Sequence, residues 1–248
     1  MTHSQILPDS VPPLIEMQLA AWGRGEYNLA IGSASEADDD ISDISSTEED
    51  GDAEPVQGSA MKGISRVRSK SGKMWVYKID KNYQRPANRF GSNQLEVGAW
   101  WPLQVCALRD GAHGSRMGGI YGKKDKGAYS IIISGGSGYD DYDMGDVIWY
   151  TGSGGKGEDQ VLGIGNQALI TSFNTKLPVR VLRGSKSSSK FAPSQGLRYD
   201  GIYIVTDHKA VIGKDGYRVF RYKLERCPNQ MEIQLKIPGR AELNTLHD

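Results

Sequence analysis

Gly127-Ala128-Tyr129-Ser130-Ile131-Ile132-Ile133-Ser134-Gly135-Gly136 opens the stretch that decides how this chain is read. It continues through Ser137-Gly138-Tyr139-Asp140-Asp141-Tyr142-Asp143-Met144-Gly145-Asp146 and closes on Val147-Ile148-Trp149-Tyr150-Thr151-Gly152-Ser153-Gly154-Gly155. β-Branched and aromatic residues mark 129–133 and 147–150 as strands. Between them lies an acidic loop carrying aromatics, and after the second strand comes a Gly-rich turn whose missing side chains let backbone approach something closely.

Further short apolar runs at 105–108, 179–182, 201–205 and 217–224 read as strands separated by Gly-rich turns. The main candidate helix lies between Gly165 and Phe173, around Asn166-Gln167-Ala168-Leu169-Ile170. Many strands and few helices argue for a closed or strongly curved sheet with loops on its rim. No internal repeat or heptad is present.

The net charge of zero conceals a division. Residues 1–60 hold 1 basic and 13 acidic side chains, a net −12, and the remainder holds 29 basic and 17 acidic, a net +12. A folded part carrying +12 attracts a polyanion such as nucleic acid, and it equally describes a solvated basic surface. Residues 33–59 are mostly Ser, Asp, Glu, Gly and Ala, too poor in large apolar groups to offset the entropy of ordering, so an acidic disordered tail is expected. Leu14, Ile15, Met17, Leu19 and Trp22 follow Pro12-Pro13 as a short amphipathic stretch, read as a docking peptide for a protein partner or as a transient helix.

Residues 62–89 hold nine basic side chains against one acid, Asp80, with Trp75, Tyr77 and Tyr83 interleaved. This strip either follows a phosphate backbone or covers the domain, and Met74-Trp75-Val76-Tyr77 looks like a short strand. Cys106 and Cys227 are isolated, with no zinc or disulfide spacing, so reduced thiols and an intracellular protein are expected. No apolar run approaches the roughly 20 residues of a membrane span.

A site for a cytosine extruded from its duplex needs aromatic faces around the ring. It also needs a carboxylate for the exocyclic amine and small residues beside C5. Tyr139, Tyr150, Asp141 and the Gly/Ser turns supply those parts. On the residues alone the acids also suit a calcium loop or a solvated turn, although EF-hand spacing is absent.

The chain resembles the SRA (SET and RING finger associated, or YDG) family, whose signature stands as Tyr199-Asp200-Gly201 within Gly196-Leu197-Arg198-Tyr199-Asp200-Gly201-Ile202-Tyr203. Gly119-Ile120-Tyr121-Gly122, Tyr150-Thr151-Gly152-Ser153-Gly154-Gly155, Asn166-Gln167-Ala168-Leu169, Pro178-Val179-Arg180-Val181, Phe191-Ala192-Pro193 and Phe220-Arg221-Tyr222-Lys223-Leu224 follow in order. The resemblance implies an α+β fold, a strongly curved, β-barrel-like SRA/PUA-like domain with flanking helices over 90–228. A basic arm at 61–89 leads into it, and 229–248 forms a C-terminal extension.

It further implies binding of DNA bearing 5-methylcytosine, in some members 5-hydroxymethylcytosine, by base flipping, with no cofactor or metal. By position, Asp141 bonds the Watson–Crick edge, helped by Thr151, and Tyr150 and Tyr139 stack on the ring. Gly136, Ser153 and Gly154 surround the C5 substituent. A thumb loop carries Arg116 and Met117. A finger runs from Lys156 through Gln160, shorter and more acidic here than the Asn-Lys-Arg finger of vertebrate members. Lys123, Lys124, Lys126, Arg183, Lys186, Lys190 and Arg198 are candidate phosphate contacts. Asp200 is expected to bond backbone in its turn and Tyr203 to pack in the core.

These readings favour a monomeric, nuclear reader of modified DNA. A chromatin adaptor acting through protein contacts is a second reading. An enzyme acting on the flipped base or its strand is a third: the two isolated cysteines lack a deaminase motif, and for a modification-dependent nuclease subunit His3, His113, His208 and His247 show no His/Asn metal spacing.

Overall fold

The computed structural model describes residues 54–55, 59–69, 74–135, 140–155 and 157–235. Strand β1 (Glu54–Pro55), β2 (Ile64–Arg68) and β3 (Trp75–Ile79) form a small antiparallel sheet. Then follow β4 (Trp100–Trp101), helix α1 (Gln104–Arg109), β5 (Ile120–Lys123), β6 (Gly127–Ile133) and β7 (Tyr142–Asp143). The chain continues through β8 (Val147–Thr151), α2 (Ile164–Thr175), β9 (Val179–Gly184), β10 (Leu197–Ile212) and β11 (Arg218–Arg226). The main sheet runs β5-β6-β9-β10-β11-β8-β7, with β4 paired to β10. Among the described residues of this sheet only the β6/β9 pair is parallel.

The Ile131-Ile132-Ile133 run makes β6 a strand covered on both faces. Ile131 and Ile133 join Val181, Ala168, Leu169 and Tyr222 under α2, while Ile132 joins Leu182, Trp101 and the α1 residues on the other side. Alternation along one strand thus feeds two cores, which is why its sequence is continuously apolar rather than alternating. Register shifts in β10 beside Val205 and between Tyr199 and Ile202, and in β5 beside Tyr121, bend the sheet.

Closure into a barrel is not observed: β5 and β7 remain the two ends of an open sheet among the described residues. The 105–108 run is helical, not extended. Val105, Cys106, Ala107 and Leu108 are all buried, and periodicity cannot separate a short apolar run of helix from one of strand. Pro102, which lacks an N–H, ends β4 just before the helix begins. The second helix, Ile164–Thr175, covers the expected stretch between Gly165 and Phe173 and runs slightly past it, capped by Lys176 in the left-handed conformation.

Part of the basic strip packs on the domain. Ile64 and Ile79 enter the α1-side core, and the Arg66 and Arg68 guanidinium groups lie 4.6 and 4.2 Å from the Trp75 ring centre. Glu54–Pro55, inside the stretch expected to be disordered, pairs with β2. Apart from 54–55 and 59–60, residues 1–60, including the 14–22 stretch, lie outside the described residues. Both cysteines are free and buried, and no described helix is long and apolar enough to cross a membrane.

Candidate nucleic-acid interface

The 140–146 loop is built around charge pairing. Asp143 takes two hydrogen bonds of 2.7 Å from Arg183 and one of 2.5 Å from the Ser189 hydroxyl. Arg183 also donates to the Gly145 carbonyl and to Asp200, and Asp200 in turn accepts two bonds from Arg198. Although burial opposes it, Arg183 holds the Asp143 carboxyl below its ordinary value. The Asp143 carboxylate in turn overcomes the cost of burial to raise Arg183. Asp140 pairs with Arg221 at 2.8 Å and Asp146 lies 3.9 Å from Arg226.

Asp141 differs from its three neighbours. Its Oδ1 accepts the Thr151 N–H at 2.7 Å, and no ion pair reaches it among the described residues. Burial outweighs that hydrogen bond and pushes its carboxyl up to about 6. A carboxylate held in this way retains an oxygen for a donor from outside the chain.

The wall beside it is equally fixed. Tyr150 is buried in the α2-side core, and its hydroxyl donates to the Gly119 carbonyl at 3.2 Å. Asn166, in the first turn of α2, clamps Ser153 by accepting its N–H and donating to its carbonyl, both at 3.0 Å. A Cβ on Gly152 would stand 2.4 Å from Asn166 Oδ1, so only glycine fits there. Gln160 donates to the carbonyls of Gly152 and Gly154 and accepts the Phe220 N–H.

The structure therefore brings Asp141, Tyr150, Thr151, Ser153 and Gly154 onto one braced strand end and its loops. Gly136, Tyr139 and Lys156 lie outside the described residues. Arg183 and Arg198 are not phosphate contacts: both are wholly buried, spent on Asp143, Asp200 and the Phe191 carbonyl. Asp200 answers these arginines rather than backbone, whereas Tyr203 packs in the core as expected. Gln160, 2% exposed, does not reach a groove but pins the Gly-rich turn. Arg116 donates to the Tyr77 carbonyl at 2.8 Å. Lys124, Lys126, Lys186 and Lys190 are exposed, and Lys123 is half-buried.

Asn166, Ser189 and Asp143 were not assigned site roles from the sequence, and Arg183 was assigned to phosphate rather than to Asp143. Only Asn166, within a matched motif, gave a signal there. Among the described residues no group of three or more His, Cys, Asp and Glu is placed to hold a metal ion, and Asp140, Asp143 and Asp146 lie beside Arg221, Arg183 and Arg226. A cleft of about 300 Å³ between the Gly-rich turn and the 213–217 turn is lined by Asp140, Thr151, Lys214, Tyr217 and Arg221. Thr151 pairs with Arg221 and Tyr150 with Tyr222, so this cleft lies on the face of β8 opposite the Tyr150 ring.

A profile of the SAD/SRA domain matches residues 89–230. The chain belongs to the SAD/SRA domain family. Rat E3 ubiquitin-protein ligase UHRF1 is 36% identical to this SRA domain chain over 175 residues, 59% of this chain and 22% of the rat protein. The chain thus spans about a fifth of that relative's length. Among solved structures, the SUVH5 SRA domain with fully methylated CG DNA superposes with a TM-score of 0.50 at 38% identity, over 58% of this chain and 98% of that one. The same domain bound to fully hydroxymethylated CG DNA gives 0.51 at 36%, covering 58% and 97%. A modification-dependent restriction endonuclease, TagI, gives 0.52 at 34%, covering 55% and 51%.

Proposed function

We propose that this SRA domain binds DNA containing 5-methylcytosine or 5-hydroxymethylcytosine, with the modified base rotated out of the duplex and held at Asp141. The observation that carries the reading is the Asp141 carboxylate, half-buried, without an ion pair among the described residues, and fixed by the Thr151 N–H. Cytosine presents an exocyclic amine donor that such a carboxylate accepts. Tyr150 forms one rigid wall and Tyr139 closes the opposite face of the ring. Gly136, Ser153 and Gly154 leave room at C5. SUVH5 in its methylated and hydroxymethylated complexes supports the choice of ligand.

The domain acts as a reader rather than an enzyme, working as a monomer on nuclear DNA. The charge division supports a tail that contacts proteins while the basic part contacts phosphates. Magnesium and methylated duplex together are expected to leave the DNA uncut.

Titration of duplexes containing C, 5-methylcytosine or 5-hydroxymethylcytosine at several salt concentrations tests the reading. Asp141→Ala is expected to abolish discrimination among them while keeping weak, salt-sensitive association. Undiminished discrimination by that variant would sink the assignment.

A further inference from the structure

A cationic face attracts a polyanion, and this chain carries a polyanion of its own. We infer that the β2–β3 hairpin is the docking surface for the chain's acidic segment 50–54. That segment lies along β2 as a salt-sensitive strap and withholds the hairpin's cations from the phosphates of unmodified DNA. The small sheet precedes the 89–230 region matched by the SAD/SRA profile, so the surface lies outside the domain that the family shares.

The two ends of the hairpin differ. At its base Ile64 pairs with Ile79, and both enter the α1-side core. Strand alternation then sets Arg66 and Arg68 on the same face, opposite Tyr77 and Trp75. These four side chains are exposed, and both guanidinium groups lie over the Trp75 ring. Stacking fixes the guanidinium planes, and their N–H edges remain the donors that carboxylates fit.

The register comes from β1. Glu54 stands opposite Arg66 and Pro55 opposite Ser65 in an antiparallel pair. Continued toward the N-terminus, that register sets Asp52 opposite Arg68 and Asp50 opposite Lys70, acid against base at every second position. Residues 50–53 and Lys70 themselves lie outside the described residues. The tether between the strands, 56–63, is short and anchored. Ser59–Met61 forms a helical turn, Met61 is buried, and Arg109 donates to the Ala60 and Lys62 carbonyls at 2.9 and 2.7 Å. Such a loop holds the acids at high effective concentration beside their bases, which favours this occupant over one from another molecule. Opposite charges across strands attract weakly and are screened by salt, so the strap is displaceable. Arg116 donates to the Tyr77 carbonyl, joining the hairpin to the edge of the candidate interface, where released cations meet the same DNA.

The test is hydrogen–deuterium exchange of the full chain, paired with anisotropy on unmodified duplex. At low salt the amides of 50–54 are expected to be protected. Salt of about 1 M, or Asp50→Asn, Asp52→Asn and Glu54→Gln together, should remove that protection while Ile64 and Ile79 keep theirs. Arg68→Asp alone should release the segment, and adding Asp52→Arg should dock it again. The neutralised triple variant should bind unmodified duplex about tenfold tighter at low salt, with a salt slope steeper by about three, one for each of Arg66, Arg68 and Lys70. Removing the same charge at Asp38, Asp39 and Asp40 should leave protection and slope as they are. Exchange of 50–53 at the free-peptide rate in low salt, or a charge swap that fails to restore protection, overturns the docking. An unchanged slope in the triple variant, or an equal change in the 38–40 control, overturns the masking of cations. The base-flipping reading is tested separately, by discrimination between methylated and unmodified duplex.

Discussion

Half-buried Asp141 and fully buried His113 are groups whose titration moves stability in opposite directions. Asp141 is raised to about 6, so the folded state holds its proton more tightly than the unfolded chain. Stability present below pH about 4 is therefore lost as pH rises through about 6. Asp141→Asn removes that loss and keeps an acceptor for the Thr151 N–H. The variant should match the parent near pH 4 and exceed it by on the order of 1–3 kcal/mol above pH 6, read from melting temperatures across that range. The same change should remove methylcytosine recognition, a stability gain at the expense of function. His113, held down to about 4 mainly by burial, contributes stability that is complete above pH about 6.5 and lost as pH falls through about 4. His113→Gln should flatten that acid limb in the same melting series. Asp141 and Tyr150 were singled out in the sequence because residue type and motif coincide there, and the structure sets both at the end of β8, Asp141 on the Thr151 N–H and Tyr150 on the Gly119 carbonyl. The roles of Arg183 and Arg198 were not, because a basic residue reads the same whether it faces phosphate or a buried carboxylate, and only the fold reveals Asp143 and Asp200 behind the sheet.

At the level of elements, strands at 129–133, 147–150 and 179–182 were readable from β-branched runs, and α1 was not, since four apolar residues fit either period. The β7–β8 loop depends on β9, which delivers Arg183 beneath it, while Arg198 and Asp200 on β10 complete the network. Removing one member strands the others in a dry environment. Arg183→Lys, which cannot reproduce the paired bonds to Asp143, should lower stability by about 3–5 kcal/mol and weaken methylcytosine binding with it. It should leave the dependence of log affinity on log salt unchanged, because Arg183 meets no phosphate. Lys124→Ala and Lys126→Ala should do the reverse, preserving the melting temperature and lowering the salt slope by about one each. Calorimetry and salt-dependent anisotropy on the same three variants separate the two behaviours.

Across the whole molecule, opposite charges are segregated along the chain, −12 before residue 61 and +12 after it. Deleting residues 1–60 should leave methylated-DNA affinity intact or raise it. Any gain should shrink as salt increases toward the regime where the Debye length is about 3 Å. A large loss of affinity would show that the division of labour is drawn wrongly. The open sheet carries a different consequence. An unclosed sheet offers its outermost backbone to any neighbouring chain with matching strand geometry, the route by which many β-rich proteins form fibrils. Here one rim is only the two-residue Tyr142–Asp143, and the other ends at Lys123 beside a bulge, so neither presents a long flat template. Concentrated solutions should stay free of cross-β aggregates, and lengthening the shorter rim by design would be the surest way to make them appear.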